Sequence, residues 1–124
     1  MNIEDKLTES KIYHRLIEEY DNDTKIFKVG VDNPTNVVVL LSNSNTFKID
    51  RDLMFYLSNQ REKYTFWFIN KNEGTMYYLE FLSNNNWLES SFRRSDKEII
   101  YFGKIVLNHK LEESAILSKL ARIQ

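Results

Sequence analysis

Residues 64–82 read YTFWFIN, then KNEG, then TMYYLEFL, and they hold seven of the chain's seventeen aromatic rings. Two apolar, aromatic-rich runs separated by a short polar break containing Gly74 form the pattern of a β-hairpin. In the first run Tyr64, Phe66 and Phe68 alternate with Thr65, Trp67 and Ile69, so both faces carry large apolar groups. A strand of that kind sits inside a sheet with a layer on each side. The return run places Thr75, Tyr77, Leu79 and Phe81 on one face and Met76, Tyr78, Glu80 and Leu82 on the other.

Outward from this hairpin, residues 37–41, VVVLL, are an unbroken β-branched and aliphatic run. Its length and composition fit a fully buried strand. Between the two lies a stretch that reads as a helix: Asp50 is suited to cap it, Asp52 to stand at its positive end, and Leu53, Met54 and Leu57 to face inward. A buried strand, a helix and a second buried strand imply a crossover that sets residues 37–41 parallel to residues 64–69.

The flanking segments complete the expectation. Residues 3–20 carry Ile12, Tyr13, Leu16, Ile17 and Tyr20 on one stripe at helical spacing, which predicts an amphipathic first helix closed by Asp21, Asn22 and Asp23. Residues 25–31 read as a strand, and Asn33, Pro34 and Thr35 as a turn. Residues 87–92 read as a short helix, 93–98 as a solvated loop, 99–107 as a long strand and 111–123 as a final helix. The fold class expected is a mixed α/β (α+β) single domain over residues 1–124, with a central mixed sheet of about five strands flanked by helices.

Composition narrows the function. The chain of 124 residues is 42% hydrophobic and 28% charged with one proline, which suits a single folded core rather than a disordered or repetitive chain. Without cysteine there is neither a disulfide framework nor a thiolate site. The first residues lack the apolar core of a signal peptide, and no apolar run approaches the roughly 20 residues that span a bilayer. A soluble cytoplasmic protein without membrane attachment is expected. The net charge of −1 conceals an asymmetry: residues 1–23 hold seven acids against three bases, a balance of −4, and the remainder is +3.

Catalytic patterns are absent from the spacing. Gly30, Gly74 and Gly103 are too scattered for a phosphate loop or a dinucleotide fingerprint. His14 and His109 have no partner at metal-ligand spacing, and no serine occupies a nucleophile elbow. Asp32 reads as a turn former beside Asn33 and Pro34, Glu80 as an edge or salt-bridged carboxylate, and Glu18 and Glu19 as solvated charges ending the first helix. No catalytic residue, metal ligand or cofactor is assigned.

The succession of a VVVLL strand, an SNSNTFKID link, a DLMFYL helix, a YTFWFIN strand and a TMYYLEF return resembles small restriction-endonuclease-like domains of the PD-(D/E)XK class, found in bacterial defence and mobile-element proteins. The closing EIIYFGKIVLNHKL looks like the edge strand that follows in such domains. The resemblance implies an aspartate at a strand end and a carboxylate two residues before a lysine on the next strand, together holding magnesium and orienting water. Asp32 in GVDN matches the first position, but residues 38–43, VVLLSN, supply neither the second carboxylate nor the lysine. A relocated set would need Asp32, Glu80 and Lys48. The expectation is a catalytically silent, non-enzymatic binding protein of regulator, inhibitor or immunity type, acting on another protein or as a homodimer. Its alternative is nucleic-acid contact through Lys48, Arg51, Arg61, Lys63, Arg93 and Arg94.

Overall fold

The computed structural model describes residues 3–32, 34–60, 64–80, 93–94, 99–102 and 110–111. In chain order the elements are α1 (Ile3–Glu9), β1 (His14–Asp21), β2 (Thr24–Val29), β3 (Thr35–Ser42), β4 (Phe47–Asp50), α2 (Arg51–Ser58), β5 (Tyr64–Asn70), β6 (Thr75–Glu80), β7 (Arg93–Arg94), β8 (Ile99–Phe102) and β9 (Lys110–Leu111). A mixed sheet runs in the order β1-β2-β3-β5-β6-β9, and a small one in the order β4-β8-β7.

The centre is as the sequence demands. β3 and β5 pair in parallel with Val38 opposite Phe66 and Leu40 opposite Phe68, while β5 and β6 form an antiparallel hairpin. Gly74 closes that hairpin at φ 67°, a backbone region L-residues avoid. Asn70, almost fully buried, holds the turn: the amides of Asn72 and Glu73 donate to its Oδ1 at 3.0 and 3.1 Å, and its Nδ2 donates to Asn45.

Alternation divides the apolar residues between two cores. Val38, Leu40, Phe66 and Phe68 face β4 and α2, where Phe47, Ile49, Met54 and Leu57 close over them. Val37, Val39, Trp67 and Ile69 face α1, packing with Leu7, Ile12 and Phe27. Covering both faces removes each of these side chains from water, a gain of about 1.5–3 kcal/mol per large apolar group. Phe47 meets Phe68 edge to face at 5.2 Å between ring centroids.

Asp50 caps α2 as expected, its Oδ1 accepting from the amides of Asp52 at 2.8 Å and Leu53 at 3.2 Å. The short strand β4 just before it was not anticipated. Its alternation of buried Phe47, exposed Lys48 and buried Ile49 spans only four residues, too few to stand out from a link.

The first helix differs most from its expectation. It ends at Glu9 instead of continuing to Tyr20. Lys11 adopts φ 58°, the Ile12 amide donates to the Leu7 carbonyl at 2.9 Å and the Lys11 amide to the Thr8 carbonyl at 3.0 Å. These two bonds are the Schellman pattern, and Ile12 and Leu7 join the same core as its usual apolar contact. The chain then reverses into β1, so Glu18 and Glu19 lie in a strand and not at a helix end.

Further along, Arg93 and Arg94 form a strand, β7, where a loop was expected. β8 joins the small sheet beside β4 and does not extend the main one. Leu111 belongs to β9, paired with Met76 of β6, and does not open a helix. The expected helix at 87–92, the strand's extension to 103–107 and the final helix at 112–123 lie outside the described residues.

Candidate functional site

β1 is the edge of the main sheet, hydrogen-bonded to β2 alone among the described strands. Its partner residues run from His14 opposite Val29 to Asp21 opposite Thr24, with register shifts at Ile17 and Tyr20. Each shift places two residues of β1 against one of β2, a β-bulge that interrupts the ladder and strengthens the local twist. The hairpin is turned by Asn22 and Asp23, and Asp21 Oδ1 accepts from the Asp23 amide at 2.8 Å.

Seven of the eight residues of β1 are exposed. Tyr13 at 57%, Leu16 at 42%, Ile17 at 46% and Tyr20 at 42% are large apolar groups left open to water along one edge. Interleaved with them stand Glu18, Glu19 and Asp21 against a single base, Arg15, a balance of −2 over the strand. At the far end, residues 20–24 on one side and Lys48, Ile49 and Asp50 on the other enclose an open cleft of about 370 Å³. Its charged lining is Asp21, Asp23 and Asp50 against Lys48, and Asp23 is paired with Lys71 at 3.3 Å, which leaves a balance of −1. Partial burial, then the charge of Asp50 and a hydrogen bond to it, raise the Tyr20 phenol above its ordinary 10.0. The same Asp50 therefore ties the edge strand to the cap of α2.

The residues singled out from sequence fall into separate places. Asp32 lies exposed in a bend after β2, at the end of the sheet where Val29 pairs with Thr35. Glu80 pairs with Thr65 at the start of β5, the same end. Lys48 lines the cleft beside Thr24, which pairs with Leu40 at the other end of β3. Five residues of strand, about 17 Å, separate those ends. Asp32, Glu80 and Lys48 thus do not form one site. Among the described residues no three or more histidine, aspartate or glutamate side chains are grouped to hold a metal ion. His14 Nδ1 lies 3.0 Å from the Ile12 carbonyl, at the start of β1 and not on a helix.

Of the candidate basic residues, Arg51 stacks its guanidinium 5.5 Å from the Phe55 ring centroid on α2. The register of the small sheet puts Lys48 opposite Tyr101, and Tyr101 opposite Arg93, in one cross-strand row. Arg94 pairs with Ile100 in the next row. Arg61, Lys63 and His109 lie outside the described residues. No described helix is long and apolar enough to cross a membrane.

Sequence reading missed the exposed edge because it assigned the same four apolar residues to a buried helix stripe. One signal pointed the other way: Asn22 and Asp23 are a two-residue turn between two strand-length runs, which is a hairpin pattern. Compared with family models, curated proteins and solved structures, the chain matches none of them.

Proposed function

We propose that this chain is a small non-enzymatic binding protein that works by protein-protein contact, as a regulator, inhibitor or immunity-type protein of a defence or mobile-element system. The observation that carries the reading is the edge strand β1, where three large apolar side chains, with Tyr13 just before them, stand open among carboxylates. An apolar patch rimmed by charge is the usual form of a protein contact surface. The resemblance to restriction-endonuclease-like domains supplies the defence and mobile-element context, and the separation of Asp32, Glu80 and Lys48 favours a catalytically silent version. A cysteine-free chain of this composition suits the cytoplasm.

The test is recovery of a partner on the tagged protein from extract of its native cell, followed by reconstitution of the pair from purified components. A stable complex at defined stoichiometry is expected; a protein that reconstitutes with nothing it recovers refutes the reading. Cleavage of DNA in magnesium or manganese, lost on Asp32→Ala, would overturn the catalytic silence.

One observation favours a second reading, nucleic-acid contact: Lys48, Tyr101 and Arg93 share a row across the small sheet. Basic and aromatic residues in one cross-strand row are the residue types of a single-strand platform. Gel-shift titration at two salt concentrations decides it, since phosphate contact requires affinity that falls steeply with salt.

A further inference from the structure

We propose that β1 is the docking surface, and that its partner is a protein with a basic, apolar face that meets β1 through side chains and not by adding a strand. This rests on the protein-binding reading and names the surface and the chemistry.

Three features of the edge select that partner. The first is sign. Glu18, Glu19 and Asp21 leave β1 at −2, and the cleft at its end, with Asp21 and Asp50 against Lys48 and Asp23 paired to Lys71, continues the same sign. A complementary surface carries lysine or arginine, and opposite charges across the contact raise the rate of encounter and set the register. The second is apolar area: Leu16, Ile17 and Tyr20 are open by two-fifths or more, enough to anchor a partner's apolar groups once water is displaced.

The third is the pair of bulges. An edge strand with regular alternation offers its free amides and carbonyls to any passing strand, including that of a second copy. At Ile17 and Tyr20 the alternation fails, which twists the edge and spoils a continuous ladder. Self-association through this edge would also bring one −2 strand against another. What remains accessible is the side-chain surface, and its charge and apolar content choose a basic partner over a copy of the chain.

The probe is a fluorescein-labelled peptide of alternating lysine and leucine, with a glutamate-leucine peptide of the same length as control, added to the intact isotope-labelled chain. Anisotropy gives affinity, and backbone amide shifts give the location. The lysine peptide should bind, shift amides of residues 13–21, and weaken several-fold between about 50 and 300 mM salt. Ile17→Ser and the double change Glu18→Lys, Glu19→Lys should each reduce affinity about tenfold, while urea midpoints show that both variants remain folded. Shifts that leave residues 13–21 unmoved, equal binding of the glutamate peptide, or no binding overturn the proposal. Concentration-dependent shifts at 13–21 without peptide overturn it in favour of a second copy. A partner recovered from extract that holds the wild-type and both variants equally well would keep the protein-binding reading and remove β1 from it.

Discussion

Replacing Lys11 with glycine should make the protein more stable, and the sign of that effect tests the fold at its least expected point. Lys11 follows α1 at φ 58°. Holding an L-residue there costs about 1–2 kcal/mol, because Cβ crowds the following carbonyl oxygen. Glycine removes that crowding but gives the unfolded chain extra freedom, which takes back about 0.5–1 kcal/mol. Lys11 is exposed, so the change removes no packing. The net is a gain of about 0.5–1 kcal/mol, or about 2–4 °C in Tm for a chain of this size. A helix running unbroken through residues 3–20 makes the opposite demand, since glycine in its middle would lose about 1 kcal/mol. Thermal melts followed by circular dichroism, with urea titrations to check that the slope is unchanged, measure the difference. Gly74→Ala is the mirror experiment. It stands at φ 67°, where an added Cβ meets nothing within 4 Å, so its loss of about 1 kcal/mol comes from the backbone alone. A lower Tm for Lys11→Gly alongside the expected loss for Gly74→Ala would show that α1 does not turn at residue 11.

Asp50→Ala should cost about 1 kcal/mol by leaving the Asp52 and Leu53 amides uncapped, and Asp50→Asn should recover most of it, because asparagine caps as well as aspartate. Urea midpoints of the two variants measure this. Phe68→Ala, at a fully buried ring packed on Phe47 and Phe66, should lose about 3–5 kcal/mol, whereas Tyr56→Ser, at a ring 61% exposed, should change stability by less than about 0.5 kcal/mol. Tyr20 has a folded-state pKa raised above 10.0, so the fold favours its protonated form. Its contribution is fully present below about pH 10 and is lost as pH rises through the raised value. Phenolate absorbance and urea midpoints on an alkaline series should show this, and Tyr20→Phe should remove that part of the pH dependence.

The centre of the fold was legible in the sequence because its signals agree at several levels. Residues 37–41 and 64–69 are too continuously apolar to lie on a half-wet face, so their place inside the sheet follows from desolvation alone. The cap at Asp50 and the turn at Gly74 are chemical requirements of a helix start and a tight reversal. β4 was hidden by its length, and its pairing with β8 joins residues about fifty apart, beyond the reach of local periodicity. The end of α1 was hidden for another reason. A left-handed residue is usually announced by glycine or asparagine, and here the position is Lys11.

The misreading of residues 13–20 and the surface inferred there have one physical origin. Tyr13, Leu16, Ile17 and Tyr20 stand at the spacing of a helix stripe, yet the last three lie along a strand and Tyr13 just before it. A regular strand alternates with period two. Each bulge inserts one extra residue, and two bulges within eight residues disrupt that alternation. Leu16 sits opposite Phe27 and Glu18 opposite Ile26, on different faces, with Ile17 as the extra residue between them. In a helix these apolar groups would be gathered and buried; on a bulged edge they are spread over both faces and left open. Strand period and ladder continuity are therefore the same fact seen twice: the interruption that breaks the regular ladder of β1 is also what made the sequence read as a helix. Removing both bulges by deleting Ile17 and Tyr20 should restore regular alternation from Leu16 onward. The variant should then self-associate in sedimentation experiments at concentrations where the wild-type chain stays monomeric, and a variant that stays monomeric would show that charge, and not the bulges, keeps the edge unpaired.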